Sequence, residues 1–177
     1  MKKHLLVFTI LLGSVASFAQ VGQQFPAMKG ETMSDKNVNL PADTKGKFTL
    51  LFLAYSEDAE NDLKTWFTPA YEKFVAKTGL MDSEYDVNIY FVPMFTGAKA
   101  AAAGAAKKQI IKETDPELHP YVLLYKGDLD TYKSALKMDD KKKPYIFLLD
   151  GTGKIVYATS GSFHDDKMDA IDDKITD

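Results

Sequence analysis

The chain has 177 residues, 45% hydrophobic and 12% aromatic, which suits a single domain with a sizeable core and excludes a disordered one. The formal net charge is −3 and all 22 positive residues are lysine, so the basic surface and arginine forks on which nucleic-acid recognition leans are missing. There is no cysteine, which excludes disulfide exchange, sulfenic-acid chemistry and thiolate metal sites.

Met1 to Ala19 reads as a cleavable secretory signal. Lys2, Lys3 and His4 precede an apolar stretch, Leu5 to Leu12, and Ser17-Phe18-Ala19 supplies a small-x-small cleavage site before Gln20. The apolar run is shorter than a membrane span and is broken by Gly13, Ser14 and Ser17. Cleavage leaves 20 of the 22 lysines against 25 acidic residues, in an exported chain with no stable membrane insertion. Only His119 and His164 then remain, far apart in sequence, so the expectation is no metal and no cofactor.

Gln20 to Gly46 is polar and turn-rich, with a short alternating piece around Asn37 to Leu40 that can pair at a sheet edge. Phe48 to Tyr55 is nearly all apolar, the pattern of a strand buried on both faces. A long amphipathic helix is expected from about Asp58 to Lys77. Leu63, Trp66, Phe67, Ala70, Tyr71, Phe74 and Val75 recur on one face, acidic residues fill its first turns and Gly79 caps its end. Pro69 inside that pattern predicts a kink costing roughly 3 kcal/mol unless compensated.

Val87 to Pro93 reads as a second central strand, and Thr96 as the cap of an alanine-rich helix from Gly97 to Glu113 that Gly104 weakens. A short strand, Tyr121 to Tyr125, and a short helix, Asp128 to Lys137, follow. Tyr145 to Leu149 and Lys154 to Ala158, joined by Asp150-Gly151-Thr152-Gly153, make an antiparallel hairpin, and a last helix runs from about His164 to Ile175. Strands alternating with helices and a closing hairpin give an α/β domain with a central mixed sheet flanked by helices, over residues 20–177.

This order resembles the thioredoxin-like fold. The C-terminal part carries the more specific likeness: Lys143-Pro144, the strand Tyr145 to Leu149 ending in Asp150, a Gly turn, then Gly161 before the final helix. By that resemblance Pro144 is a cis-proline whose preceding residue presents backbone groups to an extended peptide. The entry motif with Gly22, Phe25, Pro26 and Gly30 resembles thiol-reductase and peroxiredoxin-like domains. Tyr145 to Gly161 is also similar to thioredoxin-like assembly factors of the mitochondrial ATP synthase, which use the fold as a chaperone or scaffold.

Those redox families carry two cysteines where the strand at Phe52 and Ala54 opens into its helix. Anchoring on Phe52 and Ala54 puts the cysteine positions at Glu57 and Glu60, whereas anchoring on Pro69 puts them at Asn61 and Lys64. Neither register has a thiol. A peroxidase would also need an arginine, and there is none.

The cluster Glu57, Asp58, Glu60 and Asp62 is either surface charge complementing a helix dipole or a cation or acid–base site, although no glycine provides the sharp turn of a calcium loop. Ser56 lacks a nucleophile elbow and reads as a cap. Trp66, Phe67, Tyr71 and Phe74, at helical spacing, read as core, with the lining of a ligand groove as the alternative. The run Lys141 to Lys143 is solvated surface that could meet an acidic partner. The expectation is an exported, cysteine-free thioredoxin-like protein without redox activity that binds a protein or peptide partner. The candidate contact residues are Tyr55, Ser56, Glu57, Glu60, Asn61, Lys64, Lys143 and Pro144. A structural, assembly-factor-like subunit and a carboxylate-dependent hydrolase are the alternatives.

Overall fold

A computed structural model describes residues 20–80 and 82–176. The leader expected at Met1 to Ala19 lies outside them. An N-terminal antiparallel hairpin, β1 (Met28–Thr32) and β2 (Asn37–Leu40), precedes β3 (Phe48–Ala54). The helices α1 (Glu57–Lys64) and α2 (Phe67–Tyr71) lead to β4 (Val87–Thr96). Next come α3 (Ala103–Glu113), β5 (Leu123–Gly127) and α4 (Asp130–Leu136). The chain closes with β6 (Tyr145–Leu149), β7 (Ile155–Ser160) and α5 (Asp165–Thr176). One seven-stranded mixed sheet results, in the order β2-β1-β5-β4-β3-β6-β7.

β3 lies near the middle of the sheet, parallel to β4 and antiparallel to β6. Its side chains alternate between two cores, which is why its sequence is apolar without interruption. Leu50, Phe52 and Ala54 meet Leu63, Trp66, Ala70, Phe74 and Ile171 on one face, while Leu51 and Leu53 meet Val92, Leu136 and Phe147 on the other. Phe52 stacks on Phe91 with centroids 4.6 Å apart and packs at 5.4 Å from Trp66, tying strand to helix.

The single long helix expected over 58–77 is three pieces. α1 stops at Lys64, α2 resumes at Phe67, and Glu72–Ala76 forms a π-helical turn. The break falls where Pro69 predicts it: a proline ring crowds the carbonyl four residues back, which belongs to Thr65. The break is compensated, since the Thr65 hydroxyl donates to the Asp62 carbonyl at 2.6 Å and accepts the Phe163 N–H at 2.8 Å. The helix ends on left-handed Lys77 (φ 53°), so Gly79 is not its cap.

β1 was not expected, since the stretch Gln20 to Gly46 reads as polar and turn-rich and Gly30 within it carries a turn signal. It alternates as a strand, with Met28, Gly30 and Thr32 inward. Gly30 is there for close approach: a Cβ at that position would lie 2.7 Å from Leu123 Cγ across the sheet. β4 runs past Pro93 to Thr96 because its end pairs with β5 after its start has paired with β3. Thr96 makes no side-chain cap, and a 3-10 stretch, Gly97–Ala102, precedes α3.

The β6–β7 hairpin is as expected. Asp150 closes it by accepting from the Thr152 N–H (2.8 Å), the Thr152 hydroxyl (2.6 Å) and the Lys154 N–H (3.0 Å). Gly153 (φ 85°) completes the turn where any side chain would strike Pro41.

Candidate functional site

The junction where β3 opens into α1 is built around two hydroxyls. Ser56 is extended (φ −147°, ψ 162°), and its Oγ accepts the Ala59 N–H at 3.1 Å, capping α1 as expected. The same hydroxyl donates to the Lys141 carbonyl. The Tyr55 phenol donates to the Met138 carbonyl at 2.7 Å. Burial, followed by the neighbouring Tyr145 and Asp140, pushes that phenol up to about 12. Both residues therefore strap the β3–α1 turn to the loop that leads into β6.

That loop corrects one expectation. The Lys143–Pro144 peptide is not cis; among the described residues the cis bond is Leu40–Pro41. The approach to β6 is instead shaped by Asp140. Its carboxylate accepts the Lys142 N–H at 2.9 Å and pairs with Lys143 at 3.3 Å, and its N–H donates to the Tyr145 hydroxyl at 2.7 Å. The Asp140 carboxyl is held below the usual range, chiefly by the Lys142 N–H. Pro144 is buried, and its carbonyl accepts the Gly161 N–H at 2.9 Å. A backbone ledge set by a cis-proline is thus absent at Pro144.

On the other side of the junction lies a cleft of about 480 Å³, within the size range of ligand pockets. Tyr55, Glu57, Glu60, Asn61 and Lys64 line one wall. Phe67 and the β4 residues Phe91, Pro93, Met94 and Phe95 contribute apolar lining. Lys99, Gln109, Ile110 and Glu113, from the alanine-rich segment, form the opposite wall. The structure thus gathers five of the eight candidates in one place and leaves Ser56, Lys143 and Pro144 outside it. Both registers for the missing cysteines open onto this cleft, Glu57 and Glu60 in the first turn of α1, Asn61 and Lys64 in the second.

Glu60 is the unusual group. Burial pushes its carboxyl above the ordinary value, against the opposing fields of Lys99 and Lys64. Among the described residues no hydrogen bond or ion pair reaches its carboxylate. Asp58 and Asp62 do not line the cleft, and among the described residues no group of three or more acidic or histidine side chains is arranged to hold a metal ion. Trp66 and Phe74 are core, as expected, whereas Phe67 reaches the cleft and the Tyr71 hydroxyl donates to Glu117 at 3.1 Å.

The wall from α3 was missed because its pattern is poorly amphipathic. The usable signal was the polar set Lys99, Gln109 and Glu113 recurring among alanines. A smaller recess of about 210 Å³ lies elsewhere, lined by Thr32, Lys36, Asn88 and Tyr121 among others.

The family model described as ATP10 protein matches residues 19–174. The chain belongs to the ATP10 family. The match agrees with the assembly-factor resemblance of the C-terminal hairpin. No curated protein sequence matches this ATP10-family chain.

Among solved structures it is similar to BsSco, a member of the Sco family of cytochrome c oxidase assembly proteins. The two are 12% identical with a TM-score of 0.56, over 86% of this chain and 94% of that one. It is also similar to the pneumococcal exposed lipoprotein thioredoxin of Streptococcus pneumoniae, at 16% identity and TM-score 0.54, over 81% and 95%. A thiol:disulfide interchange protein from a Bacteroides species is 20% identical with a TM-score of 0.53, over 89% and 91%. At these identities the likeness establishes the fold, which is thioredoxin-like.

Proposed function

We propose that this chain is an exported ATP10-family protein that carries out no redox chemistry and binds a protein or peptide partner across the cleft between α1 and α3. The observation that carries the reading is the cleft itself. It stands where the strand opens into its helix, contains no thiol, and combines apolar β4 side chains with charged walls and one half-buried, unpaired carboxylate at Glu60. An apolar groove with a few polar groups at its margin suits a segment of another chain. A partner side chain that brings a positive charge to Glu60 would offset the cost of leaving that carboxylate desolvated. Export rests on the leader read at Met1 to Ala19.

A second reading, an assembly-factor-like subunit, is favoured by the family match. In that case the domain packs into a larger complex, and the contact surface need not be the cleft.

The exposed variants Asn61→Arg and Gln109→Arg separate the two, since each adds a positive charge to the cleft walls beside Glu60. Cleft binding predicts that each lowers the yield of a co-purified partner by about tenfold without changing the melting temperature, as for hot-spot residues elsewhere. Unchanged yield with both variants would reject the cleft and favour packing through another surface.

A further inference from the structure

β4 outruns the strand beside it. Its ladder with β3 ends at the pair Ala54–Pro93, where Pro93 has no N–H to give and the chain after Ala54 turns away into α1. β4 nevertheless stays in the sheet through Met94, Phe95 and Thr96, held from the other side by Tyr125, Lys126 and Gly127 of β5. Among the described residues no strand pairs with Met94–Thr96 on the side that β3 has left. Pro93, Met94 and Phe95 all line the cleft. Side chains alternate along a strand, so a lining of consecutive residues means that the cleft reaches the edge of β4 as well as one face.

We infer that the cleft takes its partner as an extended segment, added as a short strand beside Met94–Thr96, with a lysine or arginine side chain reaching Glu60. The inference rests on the cleft-binding reading and names the partner's conformation and charge. A bare strand edge is a template for pairing with another chain. An extended segment can match it, whereas a helix has already bonded its main-chain groups within itself.

Ladder bonds are made by the main chain, so selection of the segment falls to its side chains. Phe67, Phe91 and Ile110 offer an apolar floor. Glu57 and Glu60, neighbours on one face of α1, put two carboxylates on the wall above it. Lys64 donates to Asn61 at 3.4 Å instead of to Glu60, and Lys99 acts on Glu60 only as a field. Glu60 therefore keeps the cost of desolvation without a contact that offsets it, and a cation brought by the segment supplies that contact. A segment carrying an acidic side chain at the same place would meet like charge.

The test selects a random peptide library, displayed on phage, against the purified protein expressed as the full chain. Enriched peptides are synthesised, and their affinities are measured for wild type, Glu60→Gln and Asn61→Arg, with melting temperatures as the check on folding. The expected peptides carry a lysine or arginine among apolar residues. N-methylation of alternate main-chain amides in one register should abolish their binding, while the other register is tolerated. Glu60→Gln, which keeps the shape of the side chain, should weaken them at least about tenfold. Binding that falls with Asn61→Arg but withstands Glu60→Gln or N-methylation in both registers would overturn the inference and leave cleft binding standing. Peptides indifferent to Asn61→Arg, or no enrichment at all, would overturn both.

Discussion

At Tyr55 and Ser56, two of the candidate contact residues, the side chains also fasten the β3–α1 turn to the loop before β6. The Tyr55 phenol holds the Met138 carbonyl, so Tyr55→Phe should lower stability by about 1 kcal/mol, the usual net worth of one such bond, measured by urea unfolding. The folded protein also keeps the Tyr55 proton more tightly than the unfolded chain does. Its contribution is therefore intact below pH 10.0, the ordinary value, and is lost as pH climbs to about 12. Wild type should lose more stability than Tyr55→Phe between neutral pH and pH 11, and equal losses would show that the phenol is not so held.

Asp150 works with the opposite sign. Burial raises its carboxyl, but the Thr152 hydroxyl and the N–H groups of Lys154 and Thr152 outweigh burial and hold it below the ordinary value. Stability from Asp150 is present above the ordinary carboxylate range and is lost as pH falls through the lowered value. Asp150→Ala should cost roughly 1–3 kcal/mol by removing the charge-assisted bonds that close the hairpin, and should flatten the acid limb of the stability profile.

Among the elements, the α1–α2 break shows how a local conflict is absorbed. Pro69 interrupts the helix, Thr65 bridges the gap to Phe163, and the following Trp66 donates its indole N–H to the Gly161 carbonyl at 3.0 Å. Trp66 is the chain's one tryptophan and is fully buried. Trp66→Phe removes volume and leaves that carbonyl without its indole donor, so a loss of about 2–3 kcal/mol is expected from calorimetry. A loss under half of that would mean the break is not pinned through this side chain.

The elements also show what could be read in advance. β3 and the β6–β7 hairpin were legible because unbroken apolar runs and a Gly-containing turn leave few alternatives. β1 was not, because Gly30 carries a turn signal while its real role, closeness to Leu123, depends on a strand far along the chain. The cleft's near wall was legible from the strand–helix junction. Its far wall was not, since α3 is placed by β4 and β5 rather than by its own pattern. Pro144 failed for a similar reason: the Asp140 turn, not the proline, shapes the approach to β6.

Across the whole molecule, a thioredoxin-like fold persists with every thiol gone. Reductant should leave the melting temperature unchanged, and purified protein should not accelerate the reduction of insulin disulfides. Catalysed reduction that follows the protein through several purification schemes would contradict that. Among the described residues no helix is long and apolar enough to cross a membrane.

The most direct measurement is photo-crosslinking in living cells, with a benzophenone side chain placed at position 61 in the cleft or at position 154 on the exposed hairpin at the opposite end of the sheet. The account predicts one reproducible protein adduct from position 61 and none from position 154. Adducts from position 154 alone, or from neither position, would contradict partner binding through the cleft.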